Sequence, residues 1–281
     1  MDYSGIITDL KLKQIRELSN KKNSAVFTAV REDGAVFVMR IYEREMAAYR
    51  MLAGKDLPGI PKVYRCYDAQ GYFLVEEEYI DGISLQEMID GGERMEEARA
   101  AALIASLCRT LSELHAMGII HLDVKPEHIL LTPEGNVYLI DFDAAMQLAP
   151  EKQSDTRLLG TAIYAAPEQF GLTRSDVRTD IFAVGISLNI LLTGVHPAVE
   201  QYRRGDLADI IAKCTEMNPA RRYQNADALL FDLEHAVLSD KRAKRLHTRK
   251  VAAGIAGTLL LIFGILLFDR AYYHDLLRPG R

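Results

Sequence analysis

Residues 121–143 constrain this chain more tightly than any other stretch: His121-Leu-Asp-Val-Lys-Pro-Glu-His128, then Ile129-Leu-Leu, a turn at Pro133-Glu-Gly-Asn136, and Val137-Tyr-Leu-Ile-Asp141-Phe-Asp143. Two apolar runs joined by a glycine-containing turn read as a β-hairpin. It delivers Asp123 and Asp141 to one edge, with Lys125 two positions from the first. Two carboxylates and a lysine clustered beside apolar strands would make an expensive core, so the arrangement reads as a reactive site. Asp123 is suited to accepting a hydroxyl proton, Lys125 to steadying an anion, and Asp141, at a strand end, to holding a hard cation such as magnesium.

A second motif follows at Gly160-Thr-Ala-Ile-Tyr164-Ala-Ala-Pro-Glu168. H-x-D-x-K-P-E, then D-F-x, then this A-P-E segment resemble the protein kinase family, and within it the bacterial membrane-anchored Ser/Thr kinases, over roughly residues 13–238. The resemblance implies an α+β bilobal fold, with a small β-rich N-lobe at 1–80 and a larger helical C-lobe at 81–238. It also implies ATP with Mg²⁺ or Mn²⁺ as cofactors and a protein substrate or signalling partner. Asp123 takes the role of catalytic base, Lys125 of the phosphate-steadying cation and Asp141 of the metal ligand. Thr161 matches the hydroxyl that, in Ser/Thr-type kinases, hydrogen-bonds near the base and the lysine.

The N-terminal pattern fits a small lobe. Lys13–Leu18, Ala25–Arg31 and Ala35–Tyr42 read as three strands, Glu43–Ala53 as a helix ending at Gly54, and Val63–Tyr67 and Tyr72–Tyr79 as a second hairpin. Glu78-Tyr79-Ile80 resembles the hinge that binds an adenine edge, with Glu77 at the gatekeeper position. Asp81 stands where the family often binds the ATP ribose, and a plain turn residue is an equal reading. Ser84–Asp90 and Glu93–Met117 read as helices, the longer with Leu103, Leu107, Leu111 and Leu114 on one stripe.

Several positions depart from the family pattern. Leu18-Ser-Asn-Lys-Lys-Asn-Ser-Ala-Val26 puts Ser19, Lys21 and Ser24 where the phosphate flap carries three glycines, which limits close backbone approach. Phe37-Val-Met-Arg40 replaces the family's strand lysine with Arg40, whose planar fork is not equivalent. Its expected helix carboxylate is Glu45, with Glu43 second, yet Glu45 lies only five positions after Arg40. Lys21 or Lys22 could instead place an ammonium over the phosphates, as in the with-no-lysine kinases; both also read as solvated loop lysines. His128 stands where the family has an asparagine metal ligand, an imidazole in place of a hard oxygen and better suited to zinc or copper. Asp143 replaces the glycine of D-F-G, and Leu122 replaces the arginine beside the base.

The membrane signal lies near the C-terminus. Val251 to Phe268 carries no charged residue and as a helix would cover about 27 Å of a roughly 30 Å hydrocarbon core. Lys241-Arg-Ala-Lys-Arg245 and Arg249-Lys250 precede it. The positive-inside bias therefore predicts a basic juxtamembrane linker at 239–250, a single transmembrane helix at 251–268 and a short external tail at 269–281, with the bulk of the chain cytoplasmic. Met1-Asp-Tyr-Ser lacks the basic and apolar regions of a signal peptide. A net charge of −5 offers no basic field for nucleic acid, and three scattered cysteines suggest neither disulfides nor a zinc site.

Two function classes remain open. Asp123, Lys125, Asp141 and Thr161 favour transfer of the ATP γ-phosphoryl group to protein Ser or Thr hydroxyls by a weak or unconventional membrane-anchored kinase. The glycine-free flap, Arg40, Glu77, His128 and Asp143 favour a pseudokinase that signals by contact.

Overall fold

A computed structural model describes residues 6, 12–21, 23–148, 163–170 and 174–236. The β-branched and aromatic residues of the first 80 positions build an antiparallel sheet of β1 (Gln14–Asn20), β2 (Ser24–Val30), β3 (Val36–Tyr42), β4 (Val63–Ala69) and β5 (Tyr72–Glu78). Its order is β1-β2-β3-β5-β4. Side chains alternate across it: Phe37, Met39, Ile41 and Leu74 are buried on one face with Phe27, while Val38 and Arg40 share the other with Glu77. The second face looks into a cleft.

The helix expected over 43–53 is shorter. α1 spans Ala47–Leu52, because the Glu43 N–H still bonds the Asn23 carbonyl at 3.3 Å, which keeps the chain extended past β3, and Met46 offers no capping side chain. Tyr49 and Leu52 turn inward from it and are buried.

The rest of the described chain is mainly helical. β6 (Ile83–Ser84) leads into α2 (Leu85–Asp90), where Ser84 and Glu87 form a reciprocal capping box. α3 (Glu97–Ala116) buries its predicted leucine stripe and stops before Gly118, whose φ of 73° suits a residue without Cβ. β7 (Ile119–Ile120) follows, then a single 3₁₀ turn at Pro126–His128 and the hairpin of β8 (Ile129–Leu131) and β9 (Val137–Leu139), paired Ile129 to Leu139. β10 (Met146–Gln147) returns to β7. α4 (Val177–Thr193) is buried on nearly every side, α5 (Gly205–Cys214) packs on it, and 226–236 is helical.

Among the described residues no helix is long and apolar enough to cross a membrane. The run at 251–268, with 239–250 and 269–281, lies outside them, as do Lys22 and Thr161.

Candidate active site

The β8–β9 hairpin and the turn before it bring Asp123, Lys125, His128 and Asp141 together. Lys125 Nζ lies 3.0 Å from Asp123 Oδ2. His128 spans the two carboxylates: its Nδ1 is 3.0 Å from the Asp123 backbone carbonyl, and its Nε2 is 3.3 Å from Asp141 Oδ2. Asp141 and Leu122 hold left-handed backbone, with φ of 66° and 64°, a conformation costing roughly 1–3 kcal/mol each that surrounding contacts must impose. Asp180 of α4 supplies one such contact. Its buried carboxylate accepts the His121 and Leu122 N–H groups at 2.9 and 2.8 Å. Phe142 is wedged edge-on against His121 and Tyr49, and its N–H bonds the Tyr49 hydroxyl at 3.2 Å. Farther off, Glu168 and Arg222 form a buried two-pronged ion pair at 2.7 and 3.0 Å.

A cleft of about 650 Å³ reaches down to Ile140 and Asp141. Leu18, Val26, Val38, Leu130 and Ile140 give it aliphatic walls, and Glu78, Tyr79 and Ile80 edge it where the hinge is expected. Arg16, Lys21, Arg40 and Asp141 also line it. Val36, Val38 and Arg40 alternate onto one face of β3 and all three line the cleft, which turns Arg40 into it.

Two expected placements need correction. Glu45 does not pair with Arg40: it bonds Arg50 Nε at 2.8 Å on the exposed surface, because the chain between β3 and α1 is too short to swing it back. Arg40 Nε instead donates to Glu77 Oε1 at 2.7 Å, and its Nη1 approaches Asp141 Oδ1 at 3.3 Å and Asp143 Oδ1 at 3.7 Å. Asp81 is exposed and is not among the cleft residues; Glu87, its carboxylate bonded to the Ser84 N–H at 2.7 Å, lies there. The Ser84-x-x-Glu87 capping pattern was the available signal for that residue. Arg16 was missed as well, although it alternates with Leu18 along β1.

Electrostatics follow from burial and these contacts. Burial opposes the Arg40 charge, but Glu77, Tyr49, Tyr42 and Asp141 together outweigh it and the guanidinium is held firmly protonated. Burial pushes Glu77 up while Arg40 pulls it down; beside a guanidinium that does not deprotonate, the pair is ionic. Burial likewise pushes Asp141 up, yet Arg40 and then His128 hold it below the usual carboxylate range. Asp143 is raised by burial and then by Asp141 beside it, and it accepts the Tyr42 hydroxyl at 2.5 Å. Burial pushes His128 down to about 4, so the imidazole is neutral near pH 7. Lys21 is exposed and reaches Asp143 only at 3.9 Å.

Among the described residues no three His, Cys, Asp or Glu side chains converge as a metal cage. Asp141 with His128 is instead a two-donor edge. That suits a divalent ion whose remaining ligands are phosphate oxygens and water.

The chain matches the protein kinase domain family over residues 13–253. It belongs to the protein kinase family. It is 31% identical over 224 residues to serine/threonine-protein kinase D of Synechocystis sp., covering 72% of this chain and 43% of that protein. To the serine/threonine-protein kinases PknD and PknB of Mycobacterium tuberculosis it is 30% and 32% identical, over 75% and 64% of this chain and 35% and 34% of theirs. The chain thus spans less than half the length of these relatives. Asp123, Lys125 and Asp141 stand at the motif positions by which the sequence resembles this family, and Ser19, Lys21, Ser24, Arg40, His128 and Asp143 depart from the motifs.

Proposed function

We propose that this chain is an ATP-dependent protein Ser/Thr kinase of weak or unconventional kind, anchored by one transmembrane helix at 251–268 with residues 1–238 cytoplasmic as N-lobe (1–80) and C-lobe (81–238). The observation that carries the reading is that Asp141 lines an open cleft large enough for a nucleotide while His128 stands between it and the Asp123–Lys125 pair.

The aliphatic walls sandwich a purine, the backbone of Glu78 and Ile80 offers its edge hydrogen bonds, and Arg40 faces the phosphate side. Asp123 accepts the hydroxyl proton of a substrate Ser or Thr while Lys125 steadies the transferred group. Asp141 and His128 hold a divalent ion, which when bound neutralises phosphate charge. The family resemblance assigns Thr161 to the same hydroxyl-acceptor site. Lys21 contributes little, because it is solvated.

The pseudokinase reading draws on one specific contact: Arg40 occupies Asp141 Oδ1 and so competes with a metal ion for one of the two carboxylate oxygens. The two readings separate on incubating the purified full chain with γ-labelled ATP, Mg²⁺ or Mn²⁺ and a generic Ser/Thr protein substrate. Label transferred by the wild type and absent from Asp123→Asn supports the kinase. No label, with a thermal midpoint unmoved by nucleotide and metal, supports the contact-signalling alternative.

A further inference from the structure

Arg40 is gripped at two ends, and the grip at its stem is unlike the one its motif leads a reader to expect. β3 and β5 pair Val38 with Glu77 and Arg40 with Val75, so Arg40 and Glu77 are diagonal neighbours on the cleft face of one sheet. Their side chains are only 5% and 4% exposed. Glu77 takes the Nε–H at 2.7 Å, which turns the Nη end toward Asp141 and the phosphate side. The Tyr49 ring, 5.6 Å from the guanidinium carbon, closes one flank. α1 supplies no carboxylate: its sequence is Ala47-Ala-Tyr-Arg-Met-Leu52, and Glu45 before it is bound to Arg50. Among the described residues the carboxylates on Arg40 are those of Glu77, Asp141 and Asp143.

A guanidinium on a flexible stem presents a usable fork only when one edge is fixed. Asp141 and Asp143 cannot be the fixed edge, because they lie on the side where metal and phosphate would bind. Glu77 lies behind it, one strand away, on the most regular part of the fold. We propose that Glu77 is a positioning residue for nucleotide phosphate binding, holding Arg40 by its Nε from within the sheet, so that the cation is oriented without any contribution from a helix. This rests on the nucleotide reading above. It adds that Arg40 orientation is fixed by strand pairing and does not respond to movement of α1.

The test compares ATP and adenosine binding to the full chain in detergent by calorimetry with Mg²⁺ present. Glu77→Met should weaken ATP binding at least tenfold and leave adenosine binding within twofold, since adenosine has no phosphates for Arg40 to meet. Glu77→Gln, which keeps an acceptor oxygen, should recover part of the loss, and Glu45→Gln should change nothing. Arg40→Met should lose as much as Glu77→Met, and the double variant R40M/E77M no more than Arg40→Met alone. That double variant replaces the buried pair with two apolar side chains of similar length, so it carries the test if Glu77→Met alone does not fold.

Equal loss of ATP and adenosine in Glu77→Met, or additive losses in the double variant, would show that Glu77 contacts the base or only supports the fold, and would overturn the proposal. Unchanged ATP binding in Glu77→Met would do the same. A wild type that binds neither ligand instead removes the nucleotide reading itself, a separate failure.

Discussion

The imidazole of His128 stands between Asp123 and Asp141: Nδ1 meets the Asp123 backbone carbonyl at 3.0 Å and lies 3.4 Å from its Oδ2, and Nε2 stands 3.3 Å from Asp141 Oδ2. A carbonyl only accepts, so Nδ1 carries the proton and Nε2 presents its lone pair toward Asp141. The ring therefore acts as a spacer that fixes the distance between Asp123 and Asp141.

Its burial makes stability depend on pH. His128 falls from an ordinary value near 6.5 to about 4 in the folded chain. Between those values the unfolded chain binds a proton that the folded chain does not. The stabilising contribution is therefore complete above about pH 6.5 and is lost as pH falls toward 4, amounting to at most about 3 kcal/mol. Asp143, shifted upward, works in the opposite sense, favouring the fold at low pH and losing that contribution as pH rises. Urea unfolding at a series of pH values isolates the histidine by difference. Wild type minus His128→Gln should slope upward from pH 4 to 6.5, and parallel curves would refute the assignment.

Asp123 and Asp141 should fail differently. Asp123→Asn should lower transfer by roughly 10²- to 10⁴-fold while ATP binding persists, because the amide cannot accept the proton but fills the same space. Asp141→Asn should weaken metal-dependent nucleotide binding, read by Mn²⁺ paramagnetic resonance. His128→Asn, which restores an oxygen donor, should shift preference from Mn²⁺ toward Mg²⁺. Wild-type rates in both aspartate variants would trace any activity to a contaminant.

Much of this was legible in the sequence because strand periodicity and the hairpin motif are local signals. The five-stranded sheet, the leucine stripe of α3 and the clustering of Asp123, Lys125 and Asp141 follow from residues near one another along the chain. Arg40 facing the cleft followed from alternation alone. Its partner did not, because Glu77 lies 37 positions away and strand register decides which carboxylate arrives. Glu45 was nearer in sequence and farther in space. The short α1 was hidden too, since Glu43–Ala53 is rich in helix formers and only the ladder bond from Glu43 to Asn23 delays the helix. Asp81 looked placed for the ribose, yet the capping box brought Glu87 to the cleft instead.

Asp180 holds the backbone of the site from below. It is fully buried and accepts two backbone N–H groups, one from Leu122 in its left-handed conformation, while His115 Nε2 lies 2.8 Å from the same carboxylate. Asp180→Ala would strand both donors at about 1–3 kcal/mol each and release Leu122 from its strained φ. The expected result is a loss of several kcal/mol in denaturant unfolding, with faster amide exchange at His121 and Leu122. Exchange unchanged at those two amides would show that another contact imposes the backbone.

The proposed anchoring and orientation rest on the sequence of 251–268 and its flanks. As a helix it would be about 27 Å long, just enough for a roughly 30 Å core, so it should cross with little tilt. Six Lys and Arg stand within 241–250, against Arg270, Arg278 and Arg281 mixed with Asp269 and Asp275 on the other side. Cytoplasmic retention follows the Lys and Arg bias and is nearly blind to Asp and Glu, so the basic side should stay inside. Protease added to intact cells should then remove a tag fused after Arg281 and spare one fused before Met1, with both cleaved once the cells are permeabilised. The opposite protection pattern would invert the topology, leaving Asp123 on the side without ATP. Neither tag being cut before permeabilisation, with the chain extracted by carbonate, would remove the anchor altogether.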